Sequence, residues 1–573
     1  MELVDSRRLT GPNRLLPGPG AVIEVALAND VAERAIDAWR AHATRLLAAV
    51  GWEDAGLAER RFDGGASLAF DAPIDALYAA TEVNEAAWAA AGRELSGEPA
   101  RDADEELAEL RAHIDTERNP ALVALLEAAD LHGVACLCDD DHVSIGLGEG
   151  SQTFAVDALP APDTVDWSKV HDVPTAMITG TNGKSTTARM LLAIATAAGK
   201  VPGISSTDWI RVGDEVLDDG DWSGPGGARI VLRDPRTQLG ILETARGGML
   251  RRGLALERTN VSAVLNVAED HLGEWGIGTI DGLADGKFVL TRVAHEVVLN
   301  ADDPPVASRA DQVEVPLVWF SMDPSNPIIQ DHLEAGGRAF LLNGESLIRC
   351  EGETLLELTT VRNIPSTFDG AAKHNVANAL AAAAMADVLG LGARAIAEGL
   401  ASFASRPEDN PGRLNRFRFG DLNVLVDFAH NPHGQASMVD MAKSMGAKRW
   451  LVVLGQAGDR EDEAIRNLVR VTWTARPDHI VLKEMKAHLR GRSEGAVAAL
   501  MEDELQNLEV PADRWSRQPS ELAAVRSALE WAEPGDLLLL MVHESRGQTL
   551  TELGRLSDAG WLPGTPIPSD VLA

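Results

Sequence analysis

The chain has 573 residues, 45% of them hydrophobic and 24% charged, with a formal net charge of −35. That length exceeds one hydrophobic core and predicts three domains, while the acidic excess argues against nucleic acid as a partner, since a phosphate backbone needs basic surface. No run is long and apolar enough to span a bilayer, and the opening Met1 to Arg8 lacks a signal peptide's apolar core, so the expectation is a cytoplasmic protein with no membrane partner.

Residues 1–162 read as a small α+β unit. Alanine-rich stretches at 31–50 and 82–95 predict helices. Segments 134–137 and 143–147, separated by an acidic turn, predict a hairpin. Cys136, Cys138 and Cys350 are too few for a disulfide framework. Cys136 and Cys138 lie two apart, on one face of a strand, and no second Cys or His pair completes a zinc set. The glycines at 146, 148 and 150 lack GxGxxG spacing. Residues 157–174, rich in Pro and Asp, read as a linker.

The texture changes at Pro174. A short apolar run at 175–178, a glycine-broken loop and a helix at 185–198 are followed by buried-strand candidates at 239–242 and 261–266. Strands alternating with helices predict a parallel sheet covered on both faces across 163–412. From Arg413 to residue 573, strand candidates at 424–426, 450–454, 480–482 and 537–542 predict a second, doubly wound sheet. The expected fold class is therefore α/β: a central P-loop parallel-sheet domain, a C-terminal Rossmann-like domain, and a smaller α+β domain before them.

The strongest local signal is Thr179, Gly180, Thr181, Asn182, Gly183, Lys184, Ser185 and Thr186, set between a strand and a helix. Glycines let backbone N–H groups curl around phosphate oxygens, and the helix that follows points its positive end at them. Lys184 adds a full charge, and the Ser185 hydroxyl can hold Mg2+. Ile178 stands where the longer GxxxxGK[ST] motif has its first glycine, so this is the shorter GTxGK[ST] form. Glu243 ends one apolar run and His271 closely follows another. Ligands of open α/β sheets gather at such strand ends.

The loop resembles that of the Mur ligase family, which includes folylpolyglutamate synthases and the ligase half of cyanophycin synthetases. Segments 242–248 (LETARGG), 266–271 (NVAEDH), 374–378 (HNVAN) and 426–432 (VDFAHNP) follow in that family's order, most closely as in cyanophycin synthetases. The resemblance implies ATP and Mg2+ as cofactors. It implies Ser185 on one Mg2+, Glu243 with His271 on a second, and a Lys287 that many relatives carry as a carbamate. In this chain Lys287 follows Asp285 and Gly286 where relatives often have Ala. Asn375 and Asn378 are implied near the adenine, with helix capping as the competing explanation. Arg413 is implied on the phosphates, Asp427 on the ribose and His430 near the γ-phosphate.

The activity implied is ATP-dependent joining of a carboxylate to an amine through an acyl phosphate, adding an amino acid to a peptide, polymer or small carboxylate acceptor. The alternatives are a folylpolyglutamate-type ligase and an inactive nucleotide-binding partner of another ligase. Segments 8–13 and 139–152 resemble the two ends of the cyanophycin synthetase N-terminal domain, with no ATP-grasp domain before the ligase half. Residues 458–462, Lys483, Glu484, Arg490 and Arg492 are candidates for holding the amino acid. Arg246, Arg251 and Arg252 are candidates for holding an anionic acceptor. A homo-oligomer is compatible with the sequence.

Overall fold

Charged strands escape a reading based on apolar runs, and the N-terminal sheet has one at each edge. Glu2–Leu9, Gly20–Ala26, Leu57–Phe62 and Gly65–Asp71 form a four-stranded antiparallel sheet. Its edge strands carry Arg7, Arg8, Arg60 and Arg61, and only the two central strands are continuously buried. The inner face, with Ile23, Leu68 and Phe70, packs on helices Asn29–Val50 and Leu77–Ser96. The predicted hairpin is present as Cys136–Cys138 against His142–Ile145, and Gln152–Ala155 adds a third strand. The structure, a computed structural model, describes residues 1–270 and 272–571.

The central sheet has eleven strands. Thr175–Thr179 lies between Leu239–Glu243 and Thr259–Val264, parallel to both, so their C-terminal ends share one edge. Every residue of Thr175–Thr179 and of Leu239–Glu243 is buried, as expected for strands covered on both faces. One face is covered by Lys184–Ala197 and the alanine-rich Lys373–Val388, whose small side chains let two helices and the sheet approach closely. Met190, Leu191 and Ile194 are fully buried there, each stabilising by about 1.5–3 kcal/mol relative to exposure. Beyond Arg338–Asn343 the sheet continues antiparallel through Ser346–Glu351 and Thr354–Thr360, an extension that the sequence reading does not contain.

The third sheet has six strands. Leu422–Asp427, Leu537–Met541, Trp450–Leu454, His479–Lys483 and Trp515–Gln518 run parallel in that order, with Asn415–Phe419 antiparallel at one edge.

The N-terminal sheet is joined to the central one through main chain. Thr10 N–H donates to Arg252 O (2.8 Å) and Leu254 N–H to Pro12 O (2.7 Å). Gly253 has φ +85°, and a Cβ there would lie 2.4 Å from Gly11 O. A Cβ on Gly11 would lie 2.2 Å from Leu254 O. The guanidinium of Arg60 donates to Trp275 O (2.7 Å) and Gly276 O (3.0 Å). Among the described residues, no helix is long and apolar enough to cross a membrane.

Candidate active site

A cavity of about 1520 Å3 opens where the C-terminal ends of the central strands face the C-terminal domain. Its floor is the loop from Gly180 to Thr186. That loop is knitted to the chain after Thr259–Val264. Thr181 N–H donates to Asn266 O, Asn182 N–H donates to Asn266 Oδ1, and Asn266 Nδ2 donates back to Asn182 O. Gly183, at φ +86°, begins the helix Lys184–Ala197, and a Cβ there would lie 2.3 Å from Asn378 Oδ1. Only glycine lets the loop turn this close to a second buried helix.

Lys184 Nζ donates to Gly180 O (2.9 Å) and Thr181 O (3.1 Å), so the ammonium is held within the curve of its own loop. Burial pushes its pKa down, against the nearby charges of Glu243 and Asp270. Ser185 Oγ donates to Glu243 Oε1 (3.0 Å), and Thr207 Oγ1 donates to the same oxygen (2.7 Å). Glu243 is 2% exposed, and among the described residues no Lys or Arg pairs with it. A buried carboxylate whose partners are two hydroxyls and one N–H fits a hard divalent cation, which favours carboxylate and hydroxyl oxygens. His271 lies outside the described residues.

Lys287, on helix Ile280–Lys287, is buried and makes no hydrogen bond or ion pair among the described residues. Burial, reinforced by Lys184, drives its pKa well down.

Asn375 and Asn378 both line the cavity on helix Lys373–Val388. Asn375 Nδ2 donates to Ser366 O (2.7 Å) and Asn378 Nδ2 to Asn375 Oδ1 (3.2 Å). Neither caps this helix by a side-chain bond. Beside them the Nδ1 of His374 is buried without a hydrogen-bond partner, and burial lowers its pKa to about 4. That orphaned ring nitrogen belongs to a residue lining the cavity, and it can donate or accept according to its tautomer.

The opposite wall belongs to the C-terminal domain. Asp427 ends strand Leu422–Asp427 and accepts N–H bonds from Leu414 and Ala429. Burial nevertheless pushes its pKa up to about 6. His430 Nδ1 meets Phe428 O at 3.0 Å, and its Nε2 lies 3.6 Å from Asp270 Oδ2. Asn431 exchanges two amide bonds with Asn182 of the phosphate loop (3.0 and 3.2 Å), and His433 Nδ1 lies 2.9 Å from Asn182 Nδ2. Arg413 lines the cavity from the linker between the two sheets. Thr179 lies beneath the loop at the end of its strand, fully buried.

Several expectations need correction. Lys483 is not available to an amino acid. Its Nζ is fully buried against Glu521 and also bonds Met541 O and His543 Nδ1. Glu484 is equally inaccessible, 4% exposed and bonded to Gly495 N–H and Arg517. Arg490 pairs with Asp459, and Arg492 bonds Gly458 O and Arg460 O, so these two loops hold each other together. Arg246, Arg251 and Arg252 do line the cavity, on helix Arg246–Arg252.

Sequence reasoning missed Asn431, His433, Thr207, Asp208 and Asp270. Asn431 had a signal: Asn followed by Pro432 is a helix start, and its Oδ1 caps Gly434 N–H.

Comparison with known proteins adds the following. Residues 178–386 match the Mur ligase middle domain, and residues 412–542 match the Mur ligase glutamate ligase domain. A cyanophycin synthetase from Geminocystis herdmanii is 40% identical over 65% of this chain and 43% of its own length. The chain thus spans less than half the length of such curated relatives. A UDP-N-acetylmuramoyl-L-alanyl-D-glutamate–2,6-diaminopimelate ligase from Syntrophomonas wolfei is 26% identical over 63% of this chain and 71% of its own. Among solved structures, the ligand-free bifunctional folylpolyglutamate synthase/dihydrofolate synthase of Yersinia pestis superposes with a TM-score of 0.50. It is 19% identical and covers 66% of this chain and 90% of its own, a likeness of fold.

Proposed function

The chain belongs to the Mur ligase family through residues 178–386 and 412–542, and on that premise we propose that it is a cytoplasmic ATP-dependent ligase that joins a carboxylate acceptor to the amine of an amino acid. The observation that carries this reading is the meeting of three groups at one sheet edge. A phosphate loop with Lys184, a buried carboxylate at Glu243 and a cavity-lining arginine at Arg413 surround the same space.

A carboxylate does not acylate an amine at neutral pH until one of its oxygens becomes a leaving group. In the proposed reaction an acceptor oxygen attacks the γ-phosphorus of ATP and ADP departs. The neutral amine then adds to the acyl carbon, phosphate leaves with the bond electrons, and the amine's proton goes to solvent. Lys184, Arg413 and the N–H groups from Thr181 to Ser185 hold the phosphates and stabilise charge during transfer. Ser185 and Glu243 would hold Mg2+, with His271 as a further ligand. The metal supplies neutralisation between two anions that must touch. Asn375 and Asn378 face the base, Asp427 accepts from the ribose hydroxyls, and His430 stands near the γ-phosphate.

Lys287 is proposed to carry a carbamate. A neutral Nζ adds to CO2 and loses a proton, turning a buried amine into an anion beside the proposed metal site. The burial of its amine, which favours loss of the proton, and the lack of a bonding partner among the described residues support this. Arg246, Arg251 and Arg252 line the wall where a carboxylate-rich acceptor would lie, and a peptide or polymer acceptor fits so large a cavity.

The test is phosphate release from ATP and Mg2+ across a panel of amino acids, with acidic peptides, polyaspartate, cyanophycin-like primers and folates as acceptors. Release that requires one amine and one acceptor, and that drops at least about 1000-fold in Lys184→Ala, supports the reading. Tight ATP binding with no stimulation by any pair would favour a nucleotide-binding partner of another ligase.

A further inference from the structure

Beside Arg413 lies a carboxylate shared by three arginines. Asp208 follows strand Pro202–Ser205 and its side chain is 4% exposed. Arg189 of the phosphate-loop helix reaches it at 2.5 Å and is itself 2% exposed. Arg546, the first residue of helix Arg546–Asp558 in the C-terminal domain, reaches its other oxygen at 2.6 Å. Arg413 Nε lies 3.9 Å away, buried and without a hydrogen-bond partner. The guanidinium carbons of Arg413 and Arg546 both lie over the ring of Phe428, at 5.7 and 5.6 Å. Burial works against charge on Asp208, yet the three guanidiniums hold its carboxyl down at about 2.

The backbone is shaped for this crossing. A Cβ on Gly412 would lie 2.3 Å from Arg546 Cδ, so the residue before Arg413 must be bare for Arg546 to pass. Asn410 Oδ1 accepts from Arg189 (2.6 Å), and Asn410 Nδ2 reaches Thr186 Oγ1 (3.4 Å). The phosphate-loop helix, the linker and the last helix of the chain thus meet at one acidic side chain. One carboxylate against three guanidiniums also leaves positive charge in excess next to the phosphate loop.

We propose that Asp208 is a positioning residue that aims Arg413 at the phosphate loop and, through Arg546, fastens the C-terminal domain over it. The first half of this rests on the ligase reading above; the fastening does not. Arg413 presents its charge to the cavity while its Nε stays beside Asp208. Removing the carboxylate leaves three like charges together and frees the arginine to swing.

Kinetics and solution scattering test the two halves separately. Asp208→Asn is expected to lower kcat about 30- to 100-fold while changing the ATP KM less than about 3-fold, and Asp208→Glu to recover part of the loss. If Asp208 acts through Arg413, then Asp208→Asn combined with Arg413→Ala is no slower than Arg413→Ala alone. Losses that multiply overturn the aiming role. In small-angle X-ray scattering, Asp208→Asn and Arg546→Gln should both have a larger radius of gyration than the unsubstituted chain, and an unchanged radius overturns the fastening. Arg546 is partly exposed, so its variant carries the scattering arm if Asp208→Asn does not fold. If the unsubstituted chain turns over no amine and acceptor pair, the ligase reading fails, and scattering still decides whether the clamp exists.

Discussion

On its N-terminal side the central domain is met by main chain as well as side chains, and on its C-terminal side by side chains. The first contact uses carbonyls and N–H groups of residues 10–12 and 252–254, packed so tightly that two glycines cannot bear a Cβ. The second uses Asn182 with Asn431, His430 with Asp270, and Asp208 with Arg413 and Arg546. Main-chain contact at that distance has one geometry, and any shift breaks several bonds at once. Side-chain contact can be released one rotamer at a time and its partners offered to a ligand. The two joints thus differ in how easily they could be released, and the atoms they use set that difference.

The strongest way to break this contrast is Gly253→Val. It places a β-branched side chain at φ +85° with its Cβ 2.4 Å from Gly11 O, and it should cost about 3 kcal/mol or more. Hydrogen exchange of the amides in Glu2–Leu9 should then speed by about 100-fold, because 1.4 kcal/mol is a factor of 10. Exchange at 428–431 should stay within about 2-fold. Equal acceleration at both joints would erase the distinction.

The C-terminal joint should respond to pH where the N-terminal one does not. Asp427 has its carboxyl pushed up to about 6 by burial, so it takes up a proton as pH falls through that value. Its folded pKa is raised, so ionising it costs stability, and this group's contribution falls as pH rises from its ordinary value of 3.8 to about 6. Nucleotide binding in the proposed mode has the opposite demand, since the ionised form would accept from the ribose. Affinity for ADP, measured by calorimetry, should drop by about 10-fold from pH 7 to pH 5. In Asp427→Asn the profile should be flat across that range; a slope that persists would assign the effect to another group.

Asn182→Ala gives the smallest change. It removes both amide bonds to Asn431 at about 1 kcal/mol net. Exchange at 428–431 should accelerate by about 5-fold, with Glu2–Leu9 untouched. No acceleration would mean that the aspartate clamp alone holds this side.

The parts of the molecule legible from sequence were those in which local pattern and global role coincide. The run at 175–178, two glycines and Lys184 announce strand, loop and helix because each does its work within a few residues. Strand Trp450–Leu454 falls where its five apolar residues predict. The four N-terminal strands were not legible as a sheet, since Leu57–Phe62 alternates poorly and carries three charges. Lys483 was misread because its environment comes from residues 38 to 60 positions away. Separation in sequence also hides Asp208, one acid after serines and a threonine, whose partners Arg189, Arg413 and Arg546 come from three different parts of the chain.

The size of the central chamber has a further consequence. At about 1520 Å3 it exceeds the roughly 300–1,000 Å3 usual for one small ligand. In the proposed reaction three reactants would be resident together there, and an activated carboxylate would be intercepted where it is made. For the proposed ligase such a chamber would act as a compartment: the hazard it would have to manage is a stray water arriving before the amine, and the side-chain joint on its C-terminal side is where entry would be controlled.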